Sequence, residues 1–160
     1  MENKKGHHET KVLKGSDVLE KLCEECLFLG DKVLIVFSED TIKQSGLYAR
    51  VISLLNICGI EHITYECEDF SDFEQRQKEA VELGKKKQVS FILAIGDEPL
   101  MAFAKAIANN YYAAGKEIKY LPIINIASGL RSDKSTVNVP HTPHYNDDIK
   151  PVALFLDYEF

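Results

Sequence analysis

The chain has 160 residues, the usual size of one domain, and its 45% hydrophobic and 28% charged content is ordinary for a globular protein. A net charge of −6 argues against nonspecific nucleic-acid binding, which requires clustered Lys and Arg. No apolar stretch approaches the roughly 18–20 residues that span a bilayer. Residues 1–8 are polar and contain no apolar signal-peptide core. We therefore expect a cytoplasmic protein that binds neither nucleic acid nor membrane.

The first elements are predicted from capping and periodicity. Residues 1–10 are polar and are predicted to form a flexible N-terminus, whereas residues 11–160 are predicted to form a single domain. Asp17 and Glu20 have the spacing of a capping box, and an amphipathic helix is predicted from there to Gly30.

Short apolar runs then alternate with helical patterns. The runs that indicate strands are Lys32–Phe37, Ile60–Cys67, Phe91–Ile95, Leu121–Ile126 and Val152–Leu156. Between them, one helix is predicted to end at Gly59, another to run from Ser71 to Gly84, and a third to begin near Pro99. This alternation predicts a Rossmann-like three-layer α/β domain with a mainly parallel sheet. Ligands bind such sheets at the carboxyl ends of the strands, and the third strand ends at Gly96.

Several segments carry a family resemblance. They read GDKVLIV, SGLYARVISLLNICGIEHITYE, VSFILAIGDEPLMAFAKAIA and LPIINIAS in chain order. Together they resemble the nucleotide-binding, N-terminal half of the iron-containing alcohol dehydrogenase and glycerol dehydrogenase superfamily. The resemblance implies a family that uses NAD(P) together with iron or zinc. It also implies that the metal ligands lie on a second, helical domain, which we do not expect in residues 11–160.

The resemblance assigns the cofactor-binding positions. In the family, the third strand ends in a Gly-Gly-Gly-Ser turn whose backbone amides hold the cofactor diphosphate. This chain instead has Gly96, Asp97, Glu98 and Pro99, and Ser128 stands where the family has a threonine that contacts the cofactor. Two carboxylates repel phosphates, and proline has no N–H to donate, so we expect no NAD(P) binding. The acids then either begin a helix or, alternatively, bind a cation or a basic partner.

The other candidate sites are weaker. Cys23 and Cys26 form a C-x-x-C on the apolar face of a predicted helix, and with Cys58 and Cys67 we interpret them as four buried thiols. A loop cluster that could hold a metal contains His141, His144, Asp147 and Asp148. Two histidines at this spacing are common by chance, so no metal-binding residue is assigned there. No catalytic residue is assigned either.

Two functions remain open. The first is a stand-alone, non-catalytic domain that acts through protein interaction, and the second is a fragment or subunit of an NAD(P)- and metal-dependent alcohol dehydrogenase completed by a second domain. In either case the chain alone is predicted to be inactive. We expect a homodimer, or a protein partner that covers the cleft. This expectation rests on apolar residues predicted to stay exposed there: Leu100, Leu130, Phe155, Tyr158 and Phe160.

Overall fold

A six-stranded parallel sheet forms the centre of the structure, a computed structural model that describes residues 10–37, 46–67, 71–112, 120–127 and 150–157. The strands are β1 (Lys11–Gly15), β2 (Lys32–Phe37), β3 (Glu61–Glu66), β4 (Phe91–Gly96), β5 (Ile123–Ala127) and β6 (Ala153–Asp157). The helices are α1 (Leu22–Leu27), α2 (Leu47–Cys58), α3 (Phe73–Lys87) and α4 (Glu98–Tyr111), and a 3₁₀ turn, Val18–Lys21, precedes α1. Among these helices, none combines the length and apolar character needed to cross a membrane.

The strand order locates the ligand-binding edge. The order is β1-β6-β5-β4-β2-β3, and every neighbouring pair is parallel. From β2 the chain passes through α2 to β3 on one side, whereas from β4 it passes through α4 to β5 on the other. The order therefore reverses between β2 and β4, where open α/β sheets form a crevice at the carboxyl ends of their strands. The predicted parallel α/β fold is confirmed.

Both faces of the sheet are covered, because alternate strand residues point to opposite sides. Val33, Ile35 and Phe37 pack with the buried residues of α1 and α2. Leu34 and Val36 pack with those of α3 and α4 on the other face. The resulting order of helix, sheet and helix confirms the three predicted layers.

Two helix boundaries differ from the sequence predictions. Asp17 has a left-handed conformation with φ 66° and its side chain makes no cap hydrogen bond, so the predicted capping box is wrong. The segment forms a 3₁₀ turn and a six-residue helix that ends at Leu27, before Gly30. The predicted end of α3 at Gly84 is also wrong, because this helix continues to Lys87.

Gly84 allows a close contact between α3 and α4. A Cβ atom at this position would lie 3.2 Å from Cε1 of Tyr111, which belongs to α4. The Tyr111 hydroxyl donates a hydrogen bond of 3.1 Å to the Gly84 carbonyl oxygen. A side chain at this position would thus require Tyr111 to move by a few tenths of an ångström, and the C-cap of α3 is instead Gln88, whose left-handed backbone has φ 62°.

The cysteines are only partly as predicted. Cys26 and Cys67 are buried thiols, as predicted. Cys23 and Cys58 are joined by a disulfide that connects α1 to α2, so the interpretation of all four as buried thiols is wrong. The reason is tertiary, since the two residues are 35 positions apart in sequence and meet only when the two helices pack on the same face of the sheet.

Candidate functional site

The turn between β4 and α4 lies at the reversal point of the sheet. Gly96 is the last residue of β4 and is in register with Ala127 at the end of β5. On the other side, Ile95 is in register with Phe37, the last residue of β2. The turn from Gly96 to Pro99 thus occupies the edge at which ligands bind in sheets of this type.

Gly96 is required by the packing of this turn. A Cβ atom built on it would lie 2.6 Å from Cδ2 and 3.2 Å from Cβ of Leu100. Leu100 is completely buried between α4 and the sheet, so it has little room to move away. The glycine is therefore explained by the contact between β4 and α4, with or without a ligand.

The next three residues begin α4 and are all exposed. Asp97 is the N-cap residue in an extended conformation, with φ −103° and ψ −169°, and its side chain makes no cap hydrogen bond. The Met101 N–H donates to the Asp97 carbonyl oxygen over 3.0 Å. Glu98 places a carboxylate in the first helical turn, where the helix dipole stabilises negative charge by about 0.3–1 kcal/mol.

These residues do not fit the diphosphate of a dinucleotide. Such a group is bound at a helix N-terminus by backbone N–H donors, and the positive end of the dipole attracts it. Pro99 lies in the first turn of α4 and has no N–H. The exposed carboxyl groups of Asp97 and Glu98 flank the same helix end and repel an anion.

Several other candidate residues lie outside the described residues. These are Ser128, Leu130, Tyr158, Phe160 and the metal candidates His141, His144, Asp147 and Asp148. The structure thus brings together Gly96, Asp97, Glu98 and Pro99, whereas the position of Ser128 relative to them stays a prediction. In the described ranges, His, Cys, Asp and Glu form no group of three or more suited to a metal ion.

Asn125 is a buried polar residue in the middle of β5, and the sequence pattern was not used to assign it. It is 4% exposed on β5, in register with Ala94 of β4 and Leu154 of β6. Among the residues that the structure describes, its Oδ1 atom has no hydrogen-bond partner. Leaving such a buried group unsatisfied typically costs about 1–3 kcal/mol. The signal was visible in the sequence, because a single Asn interrupts the apolar run LPIINI.

Two residues expected to remain exposed at the cleft are buried. Leu100 and Phe155 both have no exposed surface. Leu100 packs between α4 and the sheet, and Phe155 packs on the α1 and α2 face. The argument that these two side chains form an exposed apolar interface is therefore wrong. The expectation of a dimer or a partner remains a prediction.

Comparisons with known proteins agree with this fold. The profile of the iron-containing alcohol dehydrogenase family matches residues 9–141, so the chain belongs to this family. The chain is similar to "Probable NADH-dependent butanol dehydrogenase 1" of Bacillus subtilis, with 32% identity over 108 residues that cover 68% of this chain and 28% of the relative. It is also similar to "NADH-dependent butanol dehydrogenase A" of Clostridium acetobutylicum, with 28% identity over 167 aligned residues that cover 92% and 43% of the two chains.

A solved structure shows the same architecture. NADH-dependent butanol dehydrogenase A from Thermotoga maritima superposes with a TM-score of 0.76 and 25% identity, over 98% of this chain and 44% of that one. The chain thus spans less than half the length of each of these three relatives. The part it shares with them is the N-terminal part of the family fold.

Proposed function

We propose that this chain is a dehydrogenase-type domain that does not bind the dinucleotide and acts through contact with a protein partner. The observation that carries the proposal is the sequence Asp97-Glu98-Pro99 at the N-terminus of α4. This is the position at which the family resemblance predicts a glycine-rich, diphosphate-binding turn.

The electrostatic cost supports the proposal. Two unit charges about 4 Å apart repel by about 4 kcal/mol at an effective dielectric constant of about 20. A dissociation constant of about 1 µM corresponds to only about −8.2 kcal/mol. Asp97 and Glu98 are exposed, so solvent and salt screen part of this repulsion, and the two carboxylates lower the affinity for a diphosphate by less than this sum. Pro99 adds the loss of one N–H donor.

A second candidate follows from the length comparison. The chain covers 43% of the Clostridium relative and 44% of the Thermotoga structure, both of which carry the name NADH-dependent butanol dehydrogenase. Under this alternative, the domain is part of an alcohol dehydrogenase that a second domain completes, with NAD(P) and iron or zinc as cofactors. Gly96 at the ligand-binding edge and the buried Oδ1 of Asn125 in the middle of β5 are compatible with it.

Titration of NADH into the purified chain tests the proposal. We expect a dissociation constant weaker than about 100 µM, which corresponds to roughly −5.5 kcal/mol. The combined variant Asp97→Gly, Glu98→Gly and Pro99→Ser should bind NADH more tightly, because it removes both charges and supplies an N–H. As a control, Glu74→Gln removes a first-turn carboxylate from α3 and should leave binding unchanged. A dissociation constant below about 100 µM for the unmodified chain would support the dehydrogenase alternative instead.

A further inference from the structure

The disulfide between Cys23 and Cys58 lies on the face of the sheet that α1 and α2 cover. The candidate cofactor turn begins α4, which covers the opposite face. The disulfide is therefore a separate feature of the fold, and neither the family resemblance nor the proposed function accounts for it.

The four cysteines differ in accessibility. Cys23 and Cys58 are both partly exposed, whereas Cys26 and Cys67 are buried. Burial, and secondarily the charge of Glu25, raise the pKa of the Cys26 thiol to about 12, so it forms little of the reactive thiolate. Disulfides that solvent reaches are in general the labile or regulatory ones, whereas buried ones resist reduction.

The segment of residues 18–27 is held by the burial of Leu19, Leu22 and Cys26 and by side-chain ion pairs, and the bond adds a covalent link to α2. The helix α1 has six residues, and an isolated helix of this length is unstable in water. Its side-chain ion pair with β1 joins Lys11, which is 61% exposed, to Glu25, which is 10% exposed, over 2.6 Å. The pair between Glu20 and Arg50 of α2 is exposed at 3.3 Å, and such surface pairs contribute little.

We propose that the bond between Cys23 and Cys58 is a reversible redox site that opens and closes by exchange with a low-molecular-weight thiol such as glutathione. A glutathione thiolate attacks one sulfur and forms a mixed disulfide, while the other cysteine leaves as a thiolate and takes a proton from water. A second glutathione releases the first cysteine in the same way. Two electrons and two protons thus pass to the cysteine pair, and the glutathione leaves as its disulfide.

Opening the bond changes the stability of one segment. Without the covalent link to α2, residues 18–27 are held mainly by the burial of Leu19, Leu22 and Cys26. Local opening of this segment becomes more frequent, and each opening exposes the Cys26 thiol, which is inaccessible in the closed form. The reactivity of Cys26 therefore reports the state of a bond in which Cys26 takes no part.

The test uses the whole chain, equilibrated in buffers with different ratios of reduced to oxidised glutathione. After acid quenching and alkylation, mass spectrometry should find Cys23 and Cys58 bonded in oxidising buffers and alkylated in reducing ones. Hydrogen exchange of residues 18–27 should be faster in the reduced chain by about tenfold or more. Alkylation of Cys26 in the folded chain should also be faster in the reduced state, whereas hydrogen exchange in α3 should be the same in both states.

The double variant Cys23→Ser and Cys58→Ser is the control. It should exchange like the reduced chain in both buffers, and circular dichroism checks that it folds. The comparison of the two redox states of the unmodified chain does not depend on this variant. Thiols that stay unpaired in every oxidising buffer would overturn the proposal, as would a bond that excess glutathione never opens. Unchanged exchange of residues 18–27 upon reduction would also overturn it.

Discussion

Replacing Gly96 by Ala places a methyl group against Leu100. The new Cβ atom would lie 2.6 Å from Cδ2, 3.2 Å from Cβ and 3.5 Å from Cγ of that side chain. The end of a leucine side chain can rotate, but Leu100 is completely buried and its own Cβ is also too close. Extra atoms in a well-packed core typically cost about 1–3 kcal/mol, and we expect a loss of this size in the free energy of unfolding.

A double-mutant cycle separates this contact from other effects. Leu100→Ala alone should cost about 2–5 kcal/mol, because it leaves a cavity. The cavity accepts the new methyl group, so the variant with both substitutions should be about 1–3 kcal/mol more stable than the sum of the single effects implies. Urea denaturation followed by far-ultraviolet circular dichroism measures all three values.

Gly59→Ala provides the matched control. Gly59 has a left-handed φ of 76°, but a Cβ atom there would lie within 4 Å of no other part of the chain that the structure describes. This substitution should therefore cost about 1–2 kcal/mol for backbone conformation alone. Its effect should add to that of Leu100→Ala without coupling. If Gly96→Ala proves equally additive with Leu100→Ala, the steric account of Gly96 is refuted.

Two further substitutions test the disulfide and the alkaline behaviour. Replacing Cys23 and Cys58 by Ser should lower the free energy of unfolding in oxidising buffer by about 4 kcal/mol at most, because the bond closes a loop with a sequence separation of 35. Urea denaturation of the oxidised unmodified chain and of the double variant measures this difference. Equal free energies of unfolding for the two would contradict it. Burial, followed by the hydrogen bond to Glu79, raises the pKa of Tyr65 from 10.0 to about 12. Its contribution to stability is therefore complete below pH 10.0 and disappears as the pH rises towards about 12. In urea denaturations at a series of pH values, Tyr65→Phe should reduce the fall in the free energy of unfolding over this range. A variant whose stability falls as steeply with pH as that of the unmodified chain would count against the assignment.

The sheet could be predicted because its signal is local. β2 and β4 are short apolar runs in which both alternating sets of side chains are hydrophobic, as strands buried on two faces require. Helical patterns between such runs allow few arrangements other than a parallel α/β sheet. The turn from Gly96 to Pro99 was likewise located from sequence, because it directly follows β4 and departs from the family pattern.

Tertiary contacts decided the features that local patterns could not predict. Gly84 was interpreted as a helix end, but it is the point at which α3 accepts Tyr111, 27 positions later in the chain. Leu100 follows a turn of exposed residues and was expected at the surface, yet the rotation of α4 places it against the sheet.

The cysteines illustrate the same limit. Amphipathic spacing correctly indicated that Cys26 is buried, because a residue's position on a helix face follows from its neighbours in the chain. The same spacing could not reveal that Cys23 would meet Cys58, because that contact requires α1 and α2 to lie side by side on one face of the sheet. The hydrophobic pattern of the sequence thus determined which segments form strands and helices. Only the packed structure decided which distant residues touch, since side-chain contacts depend on how those elements are arranged in space.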